Sequence, residues 1–174
     1  GGAWLLAGAS SSGVNGNKTS PNYGGLDFWV VKADASGVKV WDKSIGGLAP
    51  DSVQAMLATP DGGCVLSGLT LSGISGNKTT ASFGGNDCWL VRLDASGNVV
   101  WEQVYGGSGD DYGRFLAFGA EEGYILGGET FSGISGNKTG AAWGGGDFWL
   151  IKVGALPPMV YVDDDYTLGN CAGH

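Results

Sequence analysis

The sequence predicts an all-β protein made of three repeat units, each of four short antiparallel strands. Three observations carry that prediction. A stretch of the form SG-x-x-GNKT followed by GG-x-D-x-W occurs at Ser12–Trp29, Ser72–Trp89 and Ser132–Trp149, each copy 60 residues after the last. Glycine supplies 35 of 174 residues alongside 7 Trp and a 43% hydrophobic content, a mixture that suits many short strands joined by tight turns. No segment of about 10 residues keeps a helical apolar period without a glycine break, so helix is not expected anywhere.

The first strand of a unit is weak and polar at its edges, at Ser52–Thr59 and Tyr112–Gly119, with no copy at the N-terminus. The turn Pro60-Asp61-Gly62-Gly63 leads into the second strand, Cys64–Leu69, whose copies are Trp4–Ala9 and Tyr124–Glu129. After the long SG-x-x-GNKT loop comes the strongest strand, Phe28–Ala33, Cys88–Leu93 and Phe148–Val153, rich in aromatic and β-branched residues. An Asp-Ala-Ser-Gly turn at Asp34–Gly37 and Asp94–Gly97 leads into the fourth strand, Val38–Ser44 and Asn98–Tyr105. In the third copy Gly154 and Leu156-Pro157-Pro158 replace that turn, and Met159–Val162 is the remaining candidate for a fourth strand. The units are therefore 1–48, lacking its first strand, 49–108 and 109–162, with 163–174 as a linker or tail.

Four-stranded units with Gly-Gly borders and one aromatic per fixed position are the cues of β-propeller blades. Propellers close with about 4 to 8 blades, so three units predict either an incomplete ring, cut from a longer polypeptide, or copies that assemble to complete one. A threefold β-trefoil or β-prism is the alternative, for which 60 residues per unit is long. The pattern YGGSGDDYGR, EGYILGG and GGGDFWLIK resembles bacterial secreted or surface β-propeller repeats of the Gly-Gly-Asp type, over Gly1 to about Val153. That resemblance implies an extracellular or cell-surface location beside other repeat domains, and is nearly silent about activity. The phrase VYVDDDYT resembles the lead-in to a parallel β-helix domain in such proteins.

A formal charge of −8 argues against a nucleic-acid partner, because phosphate binding needs a basic face. No run of about 18 apolar residues could span a membrane. His174 is the only histidine, no carboxylate pair stands out as acid and base, and the Gly-Gly pairs precede strands rather than helices, so no enzyme chemistry is expected. Cys171-x-x-His174 has half the spacing of a metal site and no second pair. Cys64 and Cys88 fall at opposite ends of a centre-paired hairpin, which predicts two buried free thiols.

The polar chemistry that repeats is Asn17, Lys18 and Thr19, Asn77, Lys78 and Thr79, and Asn137, Lys138 and Thr139. These triplets are expected to project and to form one face for contact with a partner. They also match the glycosylation sequon at Asn17, Asn77 and Asn137, although Asn and Thr equally suit the backbone of a glycine-rich turn. Asp27, Asp87 and Asp147 have two readings: calcium ligands, the one cofactor the sequence suggests, or carboxylates that accept from the N–H groups of their own turn. The Trp29, Trp89 and Trp149 column is expected to pack between units rather than stack on sugars. The expectation is a non-enzymatic extracellular structural or adhesive module whose partners are other copies or remaining segments of the same protein. A carbohydrate-binding module and a fragment of a propeller-type hydrolase are the alternatives.

Overall fold

A computed structural model describes residues 2–119 and 123–154, with the backbone of 161–162. Among them there is no helix, and none could therefore be long and apolar enough to cross a membrane. The chain forms three antiparallel sheets. The first contains β1 (Trp4–Ser10), β2 (Asp27–Ala33) and β3 (Lys39–Ile45) in that order. The second contains β4 (Asp51–Ala58), β5 (Cys64–Thr70), β6 (Asp87–Leu93) and β7 (Val99–Tyr105). The third contains β8 (Asp111–Phe118), β9 (Tyr124–Thr130), β10 (Asp147–Val153) and the short β11 (Tyr161–Val162).

Strand order equals chain order because every connection within a sheet joins antiparallel neighbours. The turns explain why. Asp34 Oδ1 accepts from the Ser36 and Val38 amides, while Gly37 takes φ 85°, so four residues reverse the chain. Asp94 and Gly97 repeat that turn in the second sheet. The β5–β6 register sets Cys64 against Leu93 and Cys88 against Leu69, and both thiols are free and buried. Burial pushes the Cys64 thiol up to about 11, so it is inert at neutral pH.

The two cores lie between sheets. Phe28, Val30 and Ile45 of the first sheet meet Cys64, Leu66, Trp89 and Val91 of the second. Sixty residues on, Cys88, Leu90 and Tyr105 meet Tyr124, Leu126, Trp149 and Ile151. The Phe28 and Trp89 rings sit 4.9 Å apart, and Trp89 is fully buried. Trp89 and Trp149 are thus inter-sheet packing, whereas Trp29, in the first sheet, is half-buried and belongs to neither core. Each β-strand repeats one face for the sheet before it and one for the sheet after it, as a period-2 pattern allows.

Candidate functional site: the repeated loops

Each SG-x-x-GNKT loop ends in a miniature hairpin. Asn15 and Lys18 exchange backbone hydrogen bonds of 3.1 and 3.0 Å around Gly16, which takes φ 55°. Ser75–Lys78 and Ser135–Lys138 form the same turn. In the second and third copies this turn reaches back to the preceding sheet. Asn77 Oδ1 accepts from the Gly46 amide at 2.9 Å, and its Nδ2 donates to the Ser44 carbonyl at 2.9 Å. Asn137 does the same with Gly106 and Val104, at 2.9 and 2.7 Å. Ser75 Oγ adds a bond from the Leu48 amide at 3.0 Å, while Ser72 Oγ bonds Asp51 of its own sheet at 2.9 Å. The loop therefore fastens one sheet to the last strand and exit of the sheet before it. Gly76 is required here: at φ 58° a Cβ would also lie 2.4 Å from the Gly46 carbonyl oxygen.

The lysines do not project. Lys18, Lys78 and Lys138 are all buried. Lys18 Nζ donates to the Ser20 and Pro21 carbonyls at 2.7 and 3.0 Å and to Ser44 Oγ at 2.7 Å. Lys78 donates to the Thr80 carbonyl and lies 5.5 Å from the centre of the Trp89 ring. Burial lowers the pKa of Lys18 and of Lys78. The expectation of a projecting polar triplet is corrected accordingly. A lysine whose ammonium satisfies turn carbonyls and, for Lys78, lies over an aromatic ring is held inside rather than projecting. Of the three triplet positions, only the threonine, Thr19, Thr79 and Thr139, is exposed in every copy.

In the first two copies an acidic residue of the last strand holds the triplet from within its own sheet. Asp42 on β3 accepts from the Thr19 and Ser20 amides, from both of their hydroxyls, from the Trp29 indole at 3.1 Å and from Lys39 at 2.7 Å. Burial alone would raise the Asp42 carboxyl, but the bonds from Lys39, Thr19 and Ser20 hold it well below the usual carboxylate range. Glu102 on β7 repeats the arrangement with Thr79, Thr80 and the Trp89 indole. The third position of this column is Val162, and among the described residues Trp149 Nε1 has no partner. In the sequence this column reads acid, acid, apolar at the 60-residue offset, with nothing local to tie Asp42 or Glu102 to the loop each one holds.

The Gly-Gly-x-Asp carboxylates cap their turns. Asp27 Oδ2 accepts from the Tyr23 amide at 2.7 Å, Asp87 Oδ2 from Phe83 at 2.7 Å, and Asp147 Oδ2 from Trp143 at 2.9 Å. Asp27 and Asp87 are completely buried, and burial pushes the Asp87 carboxyl up to about 6. Among the described residues no group of three or more metal-ligating side chains comes together.

What does project is apolar. Val14, Ile74 and Ile134, at the tips of the three loops, are 68%, 69% and 70% exposed. A second column at the same offset is aromatic: Tyr23, Phe83 and Trp143. Tyr23 and Phe83 pack on Gly76 and Gly136 of the following loop, where a Cβ would come within 2.8 Å of them. Trp143, with no following loop against it among the described residues, is 84% exposed.

The amide bonds bear on the sequon. Asn77 and Asn137 already use Nδ2, the atom a glycan would occupy, to reach the preceding sheet. Expressed in a glycosylating host, the chain is expected to carry sugar at Asn17 alone, read as one glycan in the intact mass and located by peptide mapping. A comparison with known family models and with curated proteins returned no match to this chain.

Proposed function

We propose that the chain is a run of β-propeller blades that works outside the cell as a non-enzymatic structural and adhesive module. The two inter-sheet junctions support the blade reading, because both use the same columns of residues at a 60-residue offset. Among the described residues, the faces beyond those junctions carry the same columns with no sheet packed on them: Trp4 and Leu6 on one side, Phe148 and Leu150 on the other, all exposed. Open apolar sheet faces of this kind suit further units of the same type, supplied by the same polypeptide or by another copy.

The observation that carries the adhesive reading is the row of exposed aliphatic tips, Val14, Ile74 and Ile134. Rigidly anchored loops with apolar ends favour a contact surface over a catalytic cleft. A triple V14S, I74S, I134S variant is expected to keep its melting temperature and lose at least tenfold in attachment of protein-coated beads to a bacterial cell layer. Unchanged attachment would remove the tips from the reading. One observation favours the carbohydrate-binding alternative: the openness of Trp143. Its counterparts Tyr23 and Phe83 are packing residues, so Trp143 matches an unfilled junction better than a sugar platform. A glycan array decides this, since sugar binding lost in W143A would favour the carbohydrate reading. Turnover of any glycosidic or peptide substrate by this chain would support the hydrolase alternative instead.

A further inference from the structure

Among the described residues β1 pairs only with β2, so its other edge is open. In the second and third sheets the same edge, on β5 and β9, is covered by a first strand, β4 or β8. Natural edge strands are usually guarded by charge, proline or a bulge. Trp4–Ser10 has none of these: it reads Trp-Leu-Leu-Ala-Gly-Ala-Ser, pairs with β2 in unbroken register, and leaves Trp4 and Leu6 exposed.

Gly8 gives this open edge the shape of a covered one. Its counterparts, Gly68 and Gly128, sit where the first strand bulges and passes close to the second. A Cβ on Gly68 would lie 2.1 Å from the Ser52 carbonyl oxygen, and one on Gly128 would lie 1.7 Å from that of Tyr112, so only glycine fits. At Gly8 nothing lies within 4 Å of the Cβ position, and its φ is not positive. Glycine inside a strand costs about 0.5–1 kcal/mol against alanine. Nothing among the described residues requires glycine there, whereas a strand laid along the edge would.

The entry point has the same character. In the second sheet the Leu71 amide donates to the Pro50 carbonyl at 3.0 Å, and Ser72 Oγ donates to Asp51 Oδ2 at 2.9 Å. Phe131 and Ser132 repeat this with Asp110 and Asp111, at 2.8 and 2.7 Å. Ser11 and Ser12 occupy these two columns in the first sheet, and both are exposed. The Ser12 amide donates to Ser10 Oγ at 3.2 Å, as the Ser72 amide donates to Thr70 Oγ1 at 3.1 Å. The loop therefore holds the strand-receiving shape with no strand bonded to it.

We propose that the open edge of β1 is an acceptor site for an added strand, and that its occupant is an extended peptide segment of the repeat's own first-strand type. Backbone pairing along the edge supplies the affinity, and two positions supply the selection. The segment enters on an aspartate, which meets Ser12 as Asp51 meets Ser72. It carries an apolar residue five positions on, where Met56 and Leu116 pack against the cores. The site uses none of the exposed loop tips, so it stands whether or not those tips adhere.

A fluorescein-labelled peptide with the sequence of residues 48–60, titrated with the intact chain and followed by anisotropy, is expected to bind saturably at one per chain. An Asp51→Ala form of the peptide and a scrambled form are expected to bind at least about tenfold more weakly. Gly8→Ala is expected to keep the melting temperature of the wild-type chain, because its methyl group meets nothing, and to bind the peptide at least about tenfold more weakly, because that methyl stands where the strand's carbonyl must pass. If Gly8→Ala does not fold, Ser12→Ala decides in its place, with weaker binding expected and unchanged binding contradictory. Absence of saturable binding overturns the proposal, as does equal binding of the scrambled peptide or undiminished binding by Gly8→Ala. A dimer of the chain that the peptide does not dissociate would place a second copy on this edge, and would also overturn it.

Discussion

Replacing Trp89 with alanine is expected to cost about 3–5 kcal/mol and to uncouple the first two sheets. The side chain is fully buried, packs on Phe28 at 4.9 Å, and lies within 5.5 Å of the Lys78 ammonium. Its indole N–H donates to Glu102 at 3.1 Å, so truncation also strips a partner from the carboxylate that holds the Thr79 loop. Total stabilities of domains are about 5–15 kcal/mol, so this single change removes a large share. Chemical denaturation should show a lower midpoint and a broadened transition, as the sheets lose cooperativity. W89F separates the two contributions, because it keeps most of the packing and loses the N–H. It should fall between wild type and W89A.

The second large effect is at Asp42. Asp42→Ala would strip the acceptor from two loop amides, the Thr19 hydroxyl and an indole N–H, and would remove one partner of the Ser20 hydroxyl and of the Lys39 ammonium, which keep Ser44 Oγ and the Asn17 carbonyl. Removing one partner of a buried charged network costs about 3–5 kcal/mol. The same group sets an acid dependence. Its folded carboxyl titrates below the ordinary range, whereas in the unfolded chain it titrates near the usual aspartate value of about 3.9. Above that unfolded value the folded state gains from Asp42, and the gain drains away as pH falls toward the folded value. Wild type should therefore lose stability on acidification below about pH 4 more steeply than D42N, compared by denaturation midpoints across the acid range. Parallel curves for the two proteins would show that Asp42 is not held in its ionised form.

The strands were legible because a repeat shows each element more than once, and because Gly, Asp and Pro mark the turns. Phe28–Ala33 and its copies could be assigned from β-branched and aromatic content alone, and the structure extends each by only the preceding aspartate. The centre-paired β5–β6 register, with Cys64 and Cys88 at opposite ends, followed from equal strand lengths. The loops were legible as positions and misread as surfaces. A lysine in a polar run suggests solvent, and nothing local to Asn-Lys-Thr reveals that Lys78 meets Trp89. That contact depends on Glu102, a residue 24 positions further on, drawing Thr79 and the Trp89 indole together. The projecting tips were missed for the opposite reason. Ile74 and Ile134 look like core residues by type, but a short hairpin held at both ends by serine and asparagine bonds leaves them no interior to enter.

The central claim is that SG-x-x-GNKT fastens one repeat to the next, and that partner contact belongs to the apolar tips. Denaturant unfolding of the variant N77A, N137A tests it most directly. Each substitution removes an acceptor from a glycine amide and a donor from a strand carbonyl in the preceding sheet, while leaving the tips in place. The account predicts a loss of about 2–3 kcal/mol per site, seen as a lower midpoint. A variant with an unchanged midpoint would contradict it, and would return the asparagines to the role of an exposed binding motif.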